Sequence, residues 1–234
     1  MKKHLLILLP VIILFFGACK KNEGPYAGLV LVGSNTPGGN NTGGNNFANT
    51  YMPTSTGSSW TYITSGLTTP ETMETHITGV ITNINGSDYF ELKSSTPGKE
   101  NIVQYYYVKD HVYKTQATSL QTALTIEFYY LKDDLPVGGE WTGVPTSTGY
   151  INGVPARTLG KILEKDISKT VLGKTYTNVI HTQVTVQYNY GLGNGFEDSA
   201  TYDYYLAKGI GLIESDANAS GVTASTKLSS YTIK

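Results

Sequence analysis

The chain has 234 residues, of which 39% are hydrophobic and only 15% charged, with a formal net charge of −1. That balance argues against nucleic acid as a partner, because phosphate binding needs a concentrated basic surface. The apolar content, with 18 Tyr, is too high for a disordered chain. The single Cys excludes an intrachain disulfide and a cysteine-built metal cage.

The chain opens with a basic stretch, Met1-Lys2-Lys3-His4, and an apolar run from Leu5 to Phe16. That run of about a dozen residues is shorter than the roughly 20 a membrane-spanning helix needs. Small residues then lead to the cysteine, Gly17-Ala18-Cys19. A basic start, a short apolar core and a small-residue cleavage site make a secretory signal. With Cys as the residue after the cut, the segment resembles the lipobox of bacterial lipoproteins, departing from it at Phe16, where Leu is usual. The resemblance implies a signal peptide over residues 1–18, lipidation of Cys19, and a mature protein held on a membrane surface by two or three acyl chains, a much firmer hold than one. Cleavage removes two of the 17 basic residues and none of the 18 acidic ones, giving the mature chain a net charge of −3.

Residues 19–50 read as a tether. Gly38-Gly39-Asn40-Asn41 recurs as Gly43-Gly44-Asn45-Asn46 in a stretch with almost no apolar content. Such a tract buries too little surface to offset ordering entropy. Thirty coil residues reach on the order of 30 Å. Tyr26–Val32 interrupts the tract, either as an edge strand or as an apolar patch near the membrane.

Residues 51–234 read as a β domain. Turn signals recur at Asn85-Gly86, Pro97-Gly98, Gly138-Gly139, Asn152-Gly153, Gly173-Lys174 and Gly191–Gly195. Asn-Gly suits the type I′ hairpin turn, whose central residues both need positive φ. Leu124, Ile126, Phe128 and Tyr130 form one apolar stripe. Along Val179–Tyr190, Ile180, Val184, Val186 and Tyr188 oppose His181, Gln183, Thr185 and Gln187, one buried face against one wet face. Leu159, Leu163, Ile167 and Val171 recur every four residues, which fits a helix face or one strand parity. The turn at Gly173-Lys174 favours a strand paired with the one that follows. Glu71–Asn83 and Tyr176–Tyr190 exceed the usual strand length of about 3–10 residues, and long strands coil as twist accumulates. The expected fold is all-β: a single strongly curved antiparallel sheet, a half-barrel or open barrel, behind the tether.

Gly57–Tyr62, Gly173–His181 and Tyr204–Ile213 together resemble a family of β-rich lipoproteins of the Bacteroidota. The resemblance spans most of residues 51–234 and implies a Gram-negative envelope and a β fold. The family has no settled activity, so it assigns no site. Asp198-Ser199-Ala200 also resembles the short O-glycosylation sequon of that phylum, which marks Ser199 as a candidate. One acidic residue in Lys20-Lys21-Asn22-Glu23 favours the periplasmic face of the outer membrane over the cell surface.

No nucleophile elbow, H-E-x-x-H, phosphate loop, dinucleotide fingerprint or EF-hand loop occurs. No catalytic residue, metal or cofactor is therefore assigned. His76 and His181 lie in long predicted strands and would need to converge to bind a metal; the polar parity of His181 favours solvent-facing histidines. Asn189, Asn194, Glu197 and Asp198 supply oxygen ligands for Ca²⁺, but a plain hairpin loop explains them as well. Tyrosine stands above background. If Tyr105, Tyr107, Tyr130, Tyr202 and Tyr204 belong to the core, Tyr106, Tyr129 and Tyr205 remain on the second face. There they would form an aromatic platform for a sugar ring or a lipid, or cross-strand pairs that stiffen an exposed sheet. The functional expectation is a non-catalytic, lipid-anchored envelope protein that binds a small hydrophobic or glycan ligand. The alternative is an accessory lipoprotein that docks on another envelope protein.

Overall fold

A computed structural model describes residues 49–66, 69–118 and 124–234. Cys19, the tether repeats and Tyr26–Val32 lie outside the described residues. The strands are β1 (Ser59–Ser65), β2 (Glu71–Ile84), β3 (Ser87–Ser95), β4 (Ile102–Lys109), β5 (Val112–Thr118), β6 (Thr125–Lys132) and β7 (Glu140–Gly143). They continue with β8 (Tyr150–Ile151), β9 (Val154–Val171), β10 (Lys174–Tyr188), β11 (Glu197–Ala207), β12 (Gly211–Ala219) and β13 (Val222–Thr232).

All pairings are antiparallel, and one sheet runs β6-β5-β4-β3-β2-β1-β13-β12-β11-β10-β9-β7, with β8 added to β9. Consecutive hairpins build each half, and the β1–β13 ladder joins the two. The hairpin turns follow the backbone chemistry expected of them. Asn85 and Gly86 have φ of 52° and 82°. Asp110 and His111 adopt the same left-handed pair at 50° and 64° without a glycine, and His111 Nδ1 lies 2.6 Å from Asp133 Oδ1.

The sheet curls until its two edges meet, so it is nearly closed into a barrel. At the seam, the free edge of β6 is met by single groups and not by a ladder. Trp141 Nε1 donates to the Tyr129 carbonyl (3.0 Å), Thr182 Oγ1 to the Tyr130 carbonyl (2.7 Å), and Glu127 N to the Pro145 carbonyl (2.8 Å). These bonds satisfy backbone groups that a bare edge would leave unpaired.

Aromatic side chains fill the interior. Tyr130 packs against Tyr106, Tyr113 and Tyr204 with ring centres 5.8–6.3 Å apart, and Phe128 against Tyr202 at 5.6 Å. A residual cavity beside Tyr106, Trp60 and Leu92 measures about 20 Å³. That is room for about one water molecule and none for a lipid chain.

One end of the barrel is plugged by the chain's own approach. Tyr51 and Met52 are buried, Gly209 N donates to the Thr50 carbonyl (2.7 Å), and Ser55 Oγ donates to the Lys234 carbonyl (2.6 Å). The far end carries the β12–β13 turn and the 144–150 and 189–196 loops.

Candidate functional site

Alternation along the strands decides which polar groups meet on the outer face. Val184, Tyr202 and Tyr204 turn inward, so Gln183, Asp203 and their cross-strand partners turn outward. The register then sets Gln183 opposite Asp203, Asp203 opposite Asp216, Asp216 opposite Ser225, and Ser225 opposite Ser65. Around this row, towards the far end, opens a cleft of about 330 Å³ lined by Ser65, Gly66, Asp203, Asp216, Asn218 and Ser225 among others. The volume sits at the lower bound for small-molecule sites.

Directly opposed carboxylates repel. The fold offsets this at Asp203, whose Oδ1 lies 2.8 Å from His181 Nε2 and accepts from Gln183 Nε2 at 3.2 Å. His181 Nδ1 lies 3.0 Å from Glu164 Oε2, so one imidazole bridges β9, β10 and β11. Burial pulls the His181 pKa down, but hydrogen bonds and charge from Asp203 and Glu164 outweigh it, and the net shift is upward. The Asp216 carboxylate makes no hydrogen bond or ion pair to the described residues, and the buried Ser225 hydroxyl has no partner among them. The cleft thus presents the unspent carboxylate of Asp216 beside an Asp203 already held by His181 and Gln183.

The three tyrosines expected to share a platform are dispersed. Tyr106 faces the interior against Tyr130, and burial pushes its hydroxyl up to about 12 despite a hydrogen bond with Thr115. Tyr129 lies on the outer face of β6, where Lys114 Nζ sits 4.2 Å from its ring centre. Tyr205 lies on the outer face of β11. The His181 ring stacks on it at 4.1 Å and 16°, and Lys169 Nζ sits 3.7 Å from its centre. Two groups that close fit only on opposite faces of the ring, so neither face of Tyr205 is free for a sugar.

The β4 parity is therefore the reverse of the expected one, with Tyr105 and Tyr107 outside and Tyr106 inside. The β3–β4 register sets this: Gln104 pairs with inward Leu92 and Tyr106 with Phe90, so Tyr106 shares the inner face with a buried glutamine. Ser199 falls on the bulge at the start of β11, half-buried, and not in a loop. His76 is exposed on β2, with β1, β13, β12 and β11 between it and His181, so the two do not converge. In the 189–196 loop, Asn194 Nδ2 donates to Glu197 Oε1 (2.7 Å), while Asp198 accepts from Gln187 (2.7 Å), which splits the acidic pair between two partners. Sequence parity had already placed His181 on the wet face. Asp203, Asp216, Ser225 and Ser65 joined it only through register, which no local pattern encodes.

Fold and site define a class: a tyrosine-filled, nearly closed antiparallel barrel with a carboxylate-bearing cleft on its outer wall. No family model matches the chain, and no curated protein does. Among solved structures it is similar to a candidate lipoprotein from Parabacteroides distasonis, with a TM-score of 0.46 and 8% identity over 78% of this chain and 98% of that one. It is also similar to a candidate exported protein with a YmcC-like fold from Bacteroides fragilis, with a TM-score of 0.45 and 7% identity over 77% and 98% of the two chains.

Proposed function

We propose that this protein is a non-catalytic, lipid-anchored envelope protein, tethered through Cys19, whose β domain binds a polyhydroxylated ligand such as a glycan in the Asp203–Asp216 cleft. The carrying observation is that cleft: about 330 Å³ of space walled by small residues, into which Asp203, Asp216 and Asn218 bring polar groups, against an interior cavity of about 20 Å³. Of the two ligand chemistries the composition allows, hydrophobic and glycan, the filled interior disfavours the first. Carboxylates accept strong hydrogen bonds from hydroxyl donors, while Asn218 and Ser65 supply both donors and acceptors. The chain enters the barrel at the opposite end, beside Thr50, so a tether from Cys19 attaches away from the cleft and leaves it open. In this reading the anchor sits in the outer membrane and the domain faces the periplasm.

The test is titration of the full-length chain, purified in detergent, with soluble oligosaccharides such as chitotriose, xylotriose and mannotriose. Binding of one of them that is lost in Asp203→Asn and Asp216→Asn supports the reading. Binding that survives both substitutions removes the cleft from it.

A second reading, docking on another envelope protein, is favoured by exposed apolar side chains at the same far end. Val144, Tyr150, Tyr190 and Leu192 are 56%, 50%, 50% and 78% exposed. Their replacement by Ser would abolish an in-membrane crosslink to a defined partner and leave saccharide binding intact.

A further inference from the structure

Asp203 belongs to two structures at once: it lines the cleft, and it closes the Glu164–His181–Asp203 bridge. Resting on the cleft reading above, we propose that His181 is a positioning residue that holds Asp203 and sets a titratable positive charge beside it, and so makes the cleft respond to pH.

The geometry of the imidazole carries this. Both ring nitrogens lie within hydrogen-bond distance of carboxylate oxygens, at 3.0 Å and 2.8 Å. A neutral imidazole has one N–H, so it donates to one carboxylate and sets a lone pair against the other. Only the imidazolium donates to both. The surroundings fit a cation. Glu164 and Lys169 approach from β9, Asp203 and Tyr205 from β11, and Glu214 and Asp216 stand on β12. The Lys169 charge is taken up by Glu214, 3.2 Å away, which also draws Lys227 at 4.0 Å. Glu164 and Asp203 are thus left to His181.

Loss of the proton has an asymmetric outcome. The Glu164 side chain is 52% exposed and turns readily into water, whereas that of Asp203 is 27% exposed and is also held by Gln183. The remaining N–H stays with Asp203. The cleft then changes from two carboxylates partly neutralised by an adjacent cation to two without one, and the repulsion between Asp203 and Asp216 is unmasked.

The experiment is an NMR titration of the isotopically labelled full-length chain in detergent, from mildly acidic to mildly basic pH. It follows His181 Cε1–H, the Asp203 and Asp216 side-chain carbons, and the Asn218 amide. No saccharide is present, so a failure here is separate from a failure of the glycan reading. The expected result is a His181 midpoint above the ordinary value of about 6.5, with the Asp203, Asp216 and Asn218 signals moving through the same midpoint. Asp203→Asn lowers the His181 midpoint by on the order of one pH unit. His181→Gln leaves the cleft signals flat across that range. Cleft signals that stay flat while wild-type His181 titrates overturn the proposal, as does a His181 midpoint at or below the ordinary value. Should His181→Gln fail to fold, Glu164→Gln serves instead: it lowers the His181 midpoint, and cleft signals that do not follow it down are equally fatal.

Discussion

The indole of Trp141 occupies the space that a Cβ on Gly160 would need; such an atom would lie 2.1 Å from the ring. The two residues are direct cross-strand partners on β7 and β9, and the missing side chain lets the indole reach across the seam to the Tyr129 carbonyl. One of the three contacts that close the seam therefore depends on a glycine chosen for room. Gly160→Ala should cost roughly 1–3 kcal/mol, as overpacking of a filled core does. A urea-denaturation midpoint equal to that of the wild type would show that the indole has somewhere else to go.

Interior tyrosines divide by what their hydroxyls meet. The Tyr202 hydroxyl is buried without a partner among the described residues, and burial pushes its pKa well up. Tyr113 Oη donates to Asp133 Oδ2 at 2.8 Å. Tyr202→Phe is expected to be neutral or stabilising by up to about 1 kcal/mol, because it removes an unpaired polar group. Tyr113→Phe is expected to cost about 1–3 kcal/mol, because it strands an acceptor. Equal effects in thermal denaturation would contradict the division.

The bridge at His181 gives stability a sign with pH. The folded pKa is raised above the unfolded value of 6.5. The folded state therefore holds the proton more tightly, and the contribution is fully present below about 6.5 and fades as pH rises through the folded value. Relative to His181→Gln, the wild type should hold its largest stability advantage on the acidic side and lose it towards mildly basic pH. An advantage that grows with pH would refute the imidazolium assignment.

The anchor is tested at Cys19. Cys19→Ser should abolish incorporation of labelled palmitate and move the protein from the detergent phase to the aqueous phase in a cloud-point separation. A protein that still partitions with detergent is held by something other than acyl chains.

Much of this fold was legible in local pattern. Asn85-Gly86 and the turn at Gly173 marked hairpins because few residues accept positive φ, and parity along Ile180–Tyr188 separated the inner wall from the outer. The four-residue recurrence from Leu159 to Val171 resolved as strand β9 because the Gly173 turn pairs it with β10. Other features were not local. The turn at Asp110-His111 uses no glycine and gives no composition signal. The β1–β13 ladder joins segments at opposite ends of the domain, with no trace in either strand alone. In β4, three successive tyrosines offered no contrast between faces, and buried Gln104 inverted the one cue available. The cleft was least legible: Asp203 and Asp216 stand 13 positions apart and are opposed only because the Lys208–Ile210 turn sets their register.

The most direct test of the central claim is the saccharide titration, read residue by residue. In the full-length chain in detergent, one of the soluble oligosaccharides should perturb the Asp203, Asp216, Asn218 and Ser225 resonances in a saturable manner and leave interior tyrosines such as Tyr106 unmoved, with Asp216→Asn abolishing the response. Saturable shifts centred on the interior tyrosines, or no saturable shift at the cleft with any neutral saccharide, would contradict the account.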